Sequence, residues 1–439
     1  MNKRRPCWLV LAASMAFVAG CTGTGVEQSL MPQTTAEATA VPSVTQTQTL
    51  PTPSATATET LQPSPPTEPA RTIPTGQVPT LPPDADLEIA FIQMIDRQSG
   101  WAIGGIERGR DRVLHTQDGA RTFRDVTPPI GTAPAPGIAR WFVSEFLDEN
   151  LAWVLHFPAV LEPSPPGGAE FVIWHTRDAG VSWEQSEVVS SSVLGTQDFP
   201  PRLEFVNPDE GWFMARNGGA GMHRYPISLY RTHDGGATWE RLIEAIGGSG
   251  LQSCRKTGWS FGDPTFGLAT IDNCPVDGPA IERTVDGGST WERVILPPPR
   301  QDPETVANAY CETYSPQFLT ADLVLLAASC TSYSDPQVER ELFYRSADGG
   351  QSWDAWEFPG GDIYFLDETR GFALSREIYW TADGGVTWEL GKTVNWDGQF
   401  SFVDADYGWA VARAGSELAL VATEDRGQTW HFIEPALHP

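Results

Sequence analysis

One eight-residue turn signature recurs seven times through the last three quarters of the chain. A chain built from it has few ways to fold. The signature reads Ser/Thr, any residue, Asp, any residue, Gly, any residue, Ser/Thr, aromatic. It opens with Thr116-Gln-Asp118-Gly-Ala-Arg-Thr122-Phe123 and Thr176-Arg-Asp178-Ala-Gly180-Val-Ser182-Trp183. The other five copies run Thr232 to Trp239, Thr284 to Trp291, Ser346 to Trp353, Thr381 to Trp388 and Thr423 to Trp430. Their acidic residues, Asp118, Asp178, Asp234, Asp286, Asp348, Asp383 and Asp425, are 60, 56, 52, 62, 35 and 42 residues apart. Signatures at this spacing indicate repeated units stacked around a ring.

A second element precedes each turn: a short apolar strand, Asp or Asn, three variable residues, then a small residue and usually an aromatic. Phe205-Val-Asn207-Pro-Asp-Glu-Gly211-Trp212 and Phe365-Leu-Asp367-Glu-Thr-Arg-Gly371-Phe372 are clear copies. Ile95-Asp96 with Gly100-Trp101 and Phe261-Gly-Asp263 with Gly267-Leu268 also fit, and Phe146-Leu-Asp148 with Ala152-Trp153 is looser. The fifth copy, around Phe318-Leu-Thr320, is nearly erased. Each repeat therefore reads strand, turn, strand, strand, Asp-containing turn, strand. The fold expected is all-β, a seven-bladed β-propeller of four-stranded antiparallel blades over residues 84–439.

The front of the chain is different. Lys3, Arg4 and Arg5 precede an apolar run from Trp8 to Ala19, and Val18-Ala19-Gly20-Cys21 follows as a cleavage-site pattern. Residues 1–20 read as a bacterial lipoprotein signal peptide, with Cys21 as the cysteine that receives lipid. The run is too short for a permanent membrane span. Residues 21–83 are dominated by Thr, Pro, Ser, Gln and Ala. Such a segment has too little apolar surface to offset the entropy of ordering, and proline keeps it extended, so a disordered tether is expected.

The repeated residues have structural work to do. A short acidic side chain accepts bonds from nearby backbone amides and holds a tight hairpin. The aromatic packs between sheets while an indole N–H finds a carbonyl. The seven aspartates are therefore expected at equivalent turns of separate blades. Ala120 replaces glycine in the first turn, where strain or altered geometry is expected. Trp141, Trp259, Trp356 and Trp396 fall outside both motifs and are the candidates for a ligand-facing aromatic surface. Cys254, Cys274, Cys311 and Cys330 allow three pairings. Their short separations favour Cys254–Cys274 and Cys311–Cys330, as an oxidising compartment permits. The longer inserts, at 185–200, 216–228, 245–260, 273–280 and 297–317, are where binding variation belongs. The start around Leu87 to Phe91 is expected to help seal the ring.

The seven turns resemble Asp-box (BNR) repeats, found in sialidases, some β-glucan hydrolases, sortilin-like receptors and the photosystem II assembly factors related to YCF48. Phe402-Val-Asp404-Ala-Asp-Tyr-Gly408-Trp409, followed by Thr423-Glu-Asp425-Arg-Gly427-Gln-Thr429-Trp430, is especially similar to the last family. That resemblance implies a noncatalytic scaffold binding an assembling membrane protein. The family's basic surface region has no long basic counterpart here, which leaves a generic extracytoplasmic scaffold. The sialidase resemblance implies an Arg-Ile-Pro element before the first turn. The nearest string is Arg224-Tyr-Pro226, before the third turn, and no arginine triad can be assigned.

The formal charge of −27 argues against nucleic acid and against electrostatic attachment to anionic lipid. A glycosidase needs two carboxylates across a cleft, whereas Asp148, Asp263, Asp367 and Asp404 each occupy a repeated turn position. No zinc, calcium-loop or phosphate-cradle motif occurs, so no cofactor is expected. The expected partner is an envelope protein, with polysaccharide as the alternative and the membrane reached through the lipid on Cys21.

Overall fold

The computed structural model describes residues 76, 78–82, 85–106, 109–130, 140–158, 169–191, 201–216, 227–244, 251, 254–272, 278–300, 303–304, 306 and 309–438. The signal peptide expected at 1–20, the lipid-bearing cysteine expected at Cys21 and the expected tether as far as residue 75 lie outside the described residues. Among those described, no helix is long and apolar enough to cross a membrane.

The chain folds into a seven-bladed β-propeller. Blade 1 comprises Glu88–Met94, Gly100–Gly105, Arg112–Thr116 and Thr122–Asp125; blade 2 comprises Arg140–Phe146, Ala152–Pro158, Ile173–Thr176 and Glu184–Gln185. Blade 3 follows with Arg202–Phe205, Gly211–Arg216, Ile227–Thr232 and Glu240–Ile243, and blade 4 with Arg255–Phe261, Gly267–Asp272, Ala280–Thr284 and Glu292–Ile295. In blade 5 the first strand is split into Ala309–Thr313 and Gln317–Phe318, both paired with Val324–Ser332 and continued by Glu339–Ser346 and Asp354–Glu357. Blade 6 is Asp362–Phe365, Gly371–Leu374, Glu377–Thr381 and Glu389–Thr393; blade 7 is Asp397–Phe402, Gly408–Ala414, Glu417–Thr423 and His431–Ile433. Every pair within a blade is antiparallel.

The strand pattern explains the burial. Second strands such as Gly100–Gly105 and Gly267–Asp272 are buried at every position, because both faces meet neighbouring blades. Fourth strands are more exposed, and Glu389–Thr393 is exposed throughout. First strands of neighbouring blades bond to one another and so lie nearest the axis.

The Phe…Gly-aromatic pattern has a direct cause. In blade 3 the Phe205 ring lies over Gly211, where a Cβ would stand 2.5 Å from the ring. The following aromatic then meets the next blade's phenylalanine. Trp153 stacks on Phe205 at 3.6 Å, Trp212 on Phe261 at 3.7 Å and Phe372 on Phe402 at 4.1 Å. Each indole also donates into the next blade's turn: Trp153 Nε1 to Gly235 O (2.7 Å) and Trp212 Nε1 to Gly287 O (2.9 Å). A junction thus carries apolar burial and a satisfied polar atom together.

The ring closes without exchanging a strand inside a blade. At the seam between blades 7 and 1, the Ile92 amide donates to Gln399 Oε1 (2.9 Å) and Gln399 Nε2 returns a bond to Ile92 O (3.0 Å). The Met94 amide donates to Ser401 Oγ (2.9 Å), and Trp409 Nε1 to Gly119 O (3.2 Å). Leu87 to Phe91 does lie at this seam, as part of blade 1's own first strand and its approach. A fifth strand, Ala436–Leu437, runs parallel to Thr122–Asp125 on the outside of blade 1.

Contacts with blade 1 begin upstream of residue 84, where composition puts the boundary. Leu81 is buried with Leu87 and Ile89, the Gly76 amide donates to Pro129 O (3.1 Å), and Arg112 Nη2 donates to Pro79 O (3.0 Å). Proline-rich composition conceals a stretch whose polar groups find partners on a neighbouring strand.

Candidate functional site

The seven signature aspartates share one bonding scheme. At Asp178, Thr176 Oγ1 donates to Oδ1 (2.8 Å) and accepts from the Gly180 amide (3.0 Å). Ser182 sends its amide to Oδ1 (2.8 Å) and its hydroxyl to Oδ2 (2.6 Å). The same hydroxyl-to-Oδ2 bond recurs at Asp118, Asp234, Asp286, Asp348, Asp383 and Asp425, at 2.6–2.7 Å. These bonds hold Asp348 at about 2, chiefly through the Ser352 hydroxyl and amide, against opposing burial. The carboxylates stay in seven separate blades and do not converge. Ala120 keeps the common geometry at φ 68°, with its amide 3.1 Å from Thr116 Oγ1. Ala179 and Arg426, at the preceding turn position, also have positive φ (56° and 67°).

The upstream turns repeat a simpler scheme. Asp148 Oδ1 accepts from the Asn150 and Leu151 amides, and Asp263, Asp367 and Asp404 do the same in their blades. Thr320 of blade 5 keeps part of it through its hydroxyl, which accepts from the Leu323 amide (3.0 Å). That blade also carries the Cys311–Cys330 disulfide between residues directly paired across two strands. Cys254 is disulfide-bonded as well; its expected partner, Cys274, lies outside the described residues.

Of the four candidate tryptophans, Trp259 is 2% exposed and packs in the wall beside Phe261, leaving no face for a ligand. Trp356 packs on Phe343 in blade 5, and Trp396 on Phe400 and Trp430 in blade 7. The side chain of Trp141 lies outside the described residues. The described three do not line a shared groove.

The functional groups that the motifs did not reveal stand one residue before each first-strand phenylalanine or its counterpart: Gln93, Glu145, Glu204, Ser260, Gln317, Tyr364 and Ser401. Alternation turns their side chains to the face opposite the phenylalanines, toward the next first strand. Gln93 Nε2 donates to Phe146 O (2.7 Å), Tyr364 OH to Phe402 O (2.6 Å), and Gln317 bonds both the amide and carbonyl of Phe365 (2.8 Å each). Glu204 Oε1 accepts from the Phe261 amide (2.9 Å) and from the Ser260 hydroxyl. Polar side chains at these positions thus zip inner strands together at the junctions of blades 1–2, 3–4, 5–6, 6–7 and 7–1.

Glu145 is paired with Trp153 through its backbone, but its side chain has no hydrogen bond among the described residues. It faces Glu204 beside a cavity of about 330 Å3, lined also by Ser260, Gln317 and Thr320. Burial, and then the neighbouring Glu204 charge, push the Glu145 carboxyl up to about 8 against the pull of Arg202. Burial raises Glu204 to about 7, opposed by the bonds from Ser260 and Phe261 and by Arg202. Arg202 itself reaches across to Ser315 Oγ in blade 5 (2.8 Å). Near neutral pH the pair can therefore both donate and accept hydrogen bonds.

A buried ionic cluster joins blades 4 and 5 at the opposite end of their inner strands. Lys256, 1% exposed, meets Glu282 Oε2 at 3.0 Å, and Arg293 meets Glu282 Oε1 at 2.8 Å. Arg255 pairs with Asp272 and bridges to Glu312 (3.0 Å), while Tyr310 OH donates to Asp272 (3.1 Å). Burial lowers the Lys256 pKa, and Glu282 partly counters it. No sequence motif announces this cluster, because its members come from five strands.

No protein-family model and no curated protein matches the chain. Among solved structures, YCF48 bound to D1 peptide is similar over 80% of this chain and 99% of its own, at 17% identity and a TM-score of 0.45. YCF48 from Cyanidioschyzon merolae is similar over 79% and 98%, at 16% identity and a TM-score of 0.43. The polysaccharide lyase Uly1 is similar over 80% and 92%, at 12% identity and a TM-score of 0.45. Likeness at this level carries no function across.

Proposed function

We propose that the protein is a noncatalytic binding or assembly scaffold on the extracytoplasmic side of a bacterial envelope. It is anchored by lipid on Cys21, displayed on the Thr/Pro-rich tether, and directed to an envelope protein. The supporting observation is where the apolar side chains lie. The described candidate tryptophans pack into separate clusters, whereas Ile295, Leu390 and Phe432 stand 51%, 49% and 65% exposed on the fourth strands of blades 4, 6 and 7. Exposed apolar residues on outer strands suit a protein partner. The test is capture from solubilised envelope by the soluble chain from residue 76, set beside a Leu390→Glu/Phe432→Glu double variant. A partner retained by the first and lost by the folded second supports the reading; equal capture by both rejects it.

Polysaccharide is the second reading, favoured by the axial cavity with its paired carboxyls. A glycan bound by the chain and lost in Glu145→Gln/Glu204→Gln, with no protein partner captured, would reverse the ranking.

A further inference from the structure

The outer edge of blade 1 differs from the others. Each remaining sheet of the ring ends on its fourth strand among the described residues, whereas blade 1 continues into Ala436–Leu437. Unpaired edges invite association, and charged side chains are a common protection. Five fourth strands open on an acid: Glu184, Glu240, Glu292, Asp354 and Glu389. At the same position blade 1 has Arg124 and blade 7 has His431. In a chain of net charge −27, these two edges lack the acidic guard.

The segment covering the first of them is short. The Ala436 amide donates to Arg121 O (3.1 Å) and the His438 amide to Phe123 O (2.7 Å). Leu437 packs against the apolar cluster that contains Phe123. Residues 434–435 link Ile433 to this strand, and Ile433 and Arg121 both line a cavity of about 480 Å3 at the seam. Arg97, Tyr407, Trp409 and the exposed Phe432 line the same cavity. The strap therefore lies on a strand edge and beside space able to receive a side chain.

We propose that the outer edge of Thr122–Asp125 is a strand-acceptor site for an extended segment of a partner protein, filled in the isolated chain by its own residues 436–437. The partner segment enters parallel, with free amides at the positions of Ala436 and His438 and an apolar side chain at that of Leu437. Proline fails at the amide positions because it has no N–H to donate. This deepens the protein-binding reading. Phe432 lines the seam cavity as well, so the single variant Leu390→Glu, away from that cavity, is used to test the two readings apart.

The probe is a fluorescent dodecapeptide carrying the sequence of residues 434–439, titrated into the chain ending at Ile433 and into the uncut chain. A tethered competitor acts at an effective concentration near millimolar, so the uncut chain should bind at least about tenfold more weakly. Aspartate in place of the peptide's leucine should abolish binding. Equal affinity for both chains, or no binding to a folded truncated chain, overturns the proposal. Should truncation prevent folding, full-length Leu437→Asp replaces it, with binding expected and its absence equally decisive. A concentration-dependent dimer of the uncut chain, lost on truncation, would assign the edge to a second copy and also overturn it.

Discussion

Gln317 and Glu145 occupy the same place in the ring, one residue before a first-strand phenylalanine, with opposite consequences. Gln317 holds the amide and carbonyl of Phe365 at once and zips blade 5 to blade 6. The Glu145 side chain bonds none of the described residues, faces a second carboxyl and borders a cavity of about 330 Å3. An amide offers a donor and an acceptor at every pH, whereas a carboxyl keeps a donor only while protonated and offers acceptors and a charge once ionised. A substitution that barely changes the side chain's size separates a locked junction from an open one. The open junction then depends on its aromatic pair, Trp153 on Phe205 at 3.6 Å.

Removing that pair should have the largest effect. Trp153→Ala deletes a ring that is 1% exposed together with its bond to Gly235, and about 3–5 kcal/mol of stability should be lost in urea unfolding. A loss below about 1 kcal/mol would show that the open junction is held by something else. Gln317→Glu should convert the locked junction into a copy of the open one. Once ionised, the new carboxylate has no donor for Phe365 O and leaves that carbonyl unpaired, at a cost of about 1–3 kcal/mol at pH 9. An unchanged midpoint would mean that the amide bonds are incidental.

The contrast also marks what the sequence could tell. The propeller and the blade order were legible because one turn signature recurs seven times and Gly211, Gly267, Gly371 and Gly408 answer one steric demand beneath a first-strand ring. The upstream element of blade 5 is nearly erased in the sequence, yet Thr320 keeps the turn with a hydroxyl, a replacement that a pattern written around Asp or Asn passes over. The axial groups were hidden for another reason. Their position is fixed by the blade, but their chemistry varies from Gln93 to Glu145, Ser260 and Tyr364, so no letter repeats. The short strap at 436–437 carries no periodic signal, since two residues are too few to show one.

Glu145→Gln should close the open junction, most visibly at alkaline pH. The folded carboxyl titrates at about 8, above its unfolded value of 4.5, so the folded state binds more protons between them. Stability therefore falls as pH rises through that window and levels off above about pH 8. Glutamine removes this slope, so the variant should exceed wild type at pH 9 while matching it near pH 4. Urea midpoints at pH 4, 7 and 9 measure the difference; parallel profiles would reject the assignment. Glu204, raised to about 7, leaves a smaller slope of the same sign in the variant.

The smallest effect belongs to the turns, and its sign is opposite. Asp348 is held at about 2, below its ordinary 3.8, so its contribution is complete above pH 4 and disappears as pH falls through 2. In Asp348→Asn the oxygen still accepts from the Ser346 hydroxyl and the Ser352 amide, while the new amide faces the Ser352 hydroxyl, which can turn to accept. The bonds survive and only their charge assistance is lost, so about 0.5 kcal/mol is expected at pH 7, fading to nothing by pH 2. A loss as large as that of Gln317→Glu would mean that a turn carboxylate does more than hold its hairpin. The acidic turns and the axial carboxyls thus bend the pH profile in opposite directions, the turns losing stability toward pH 2 and the axial pair toward pH 8.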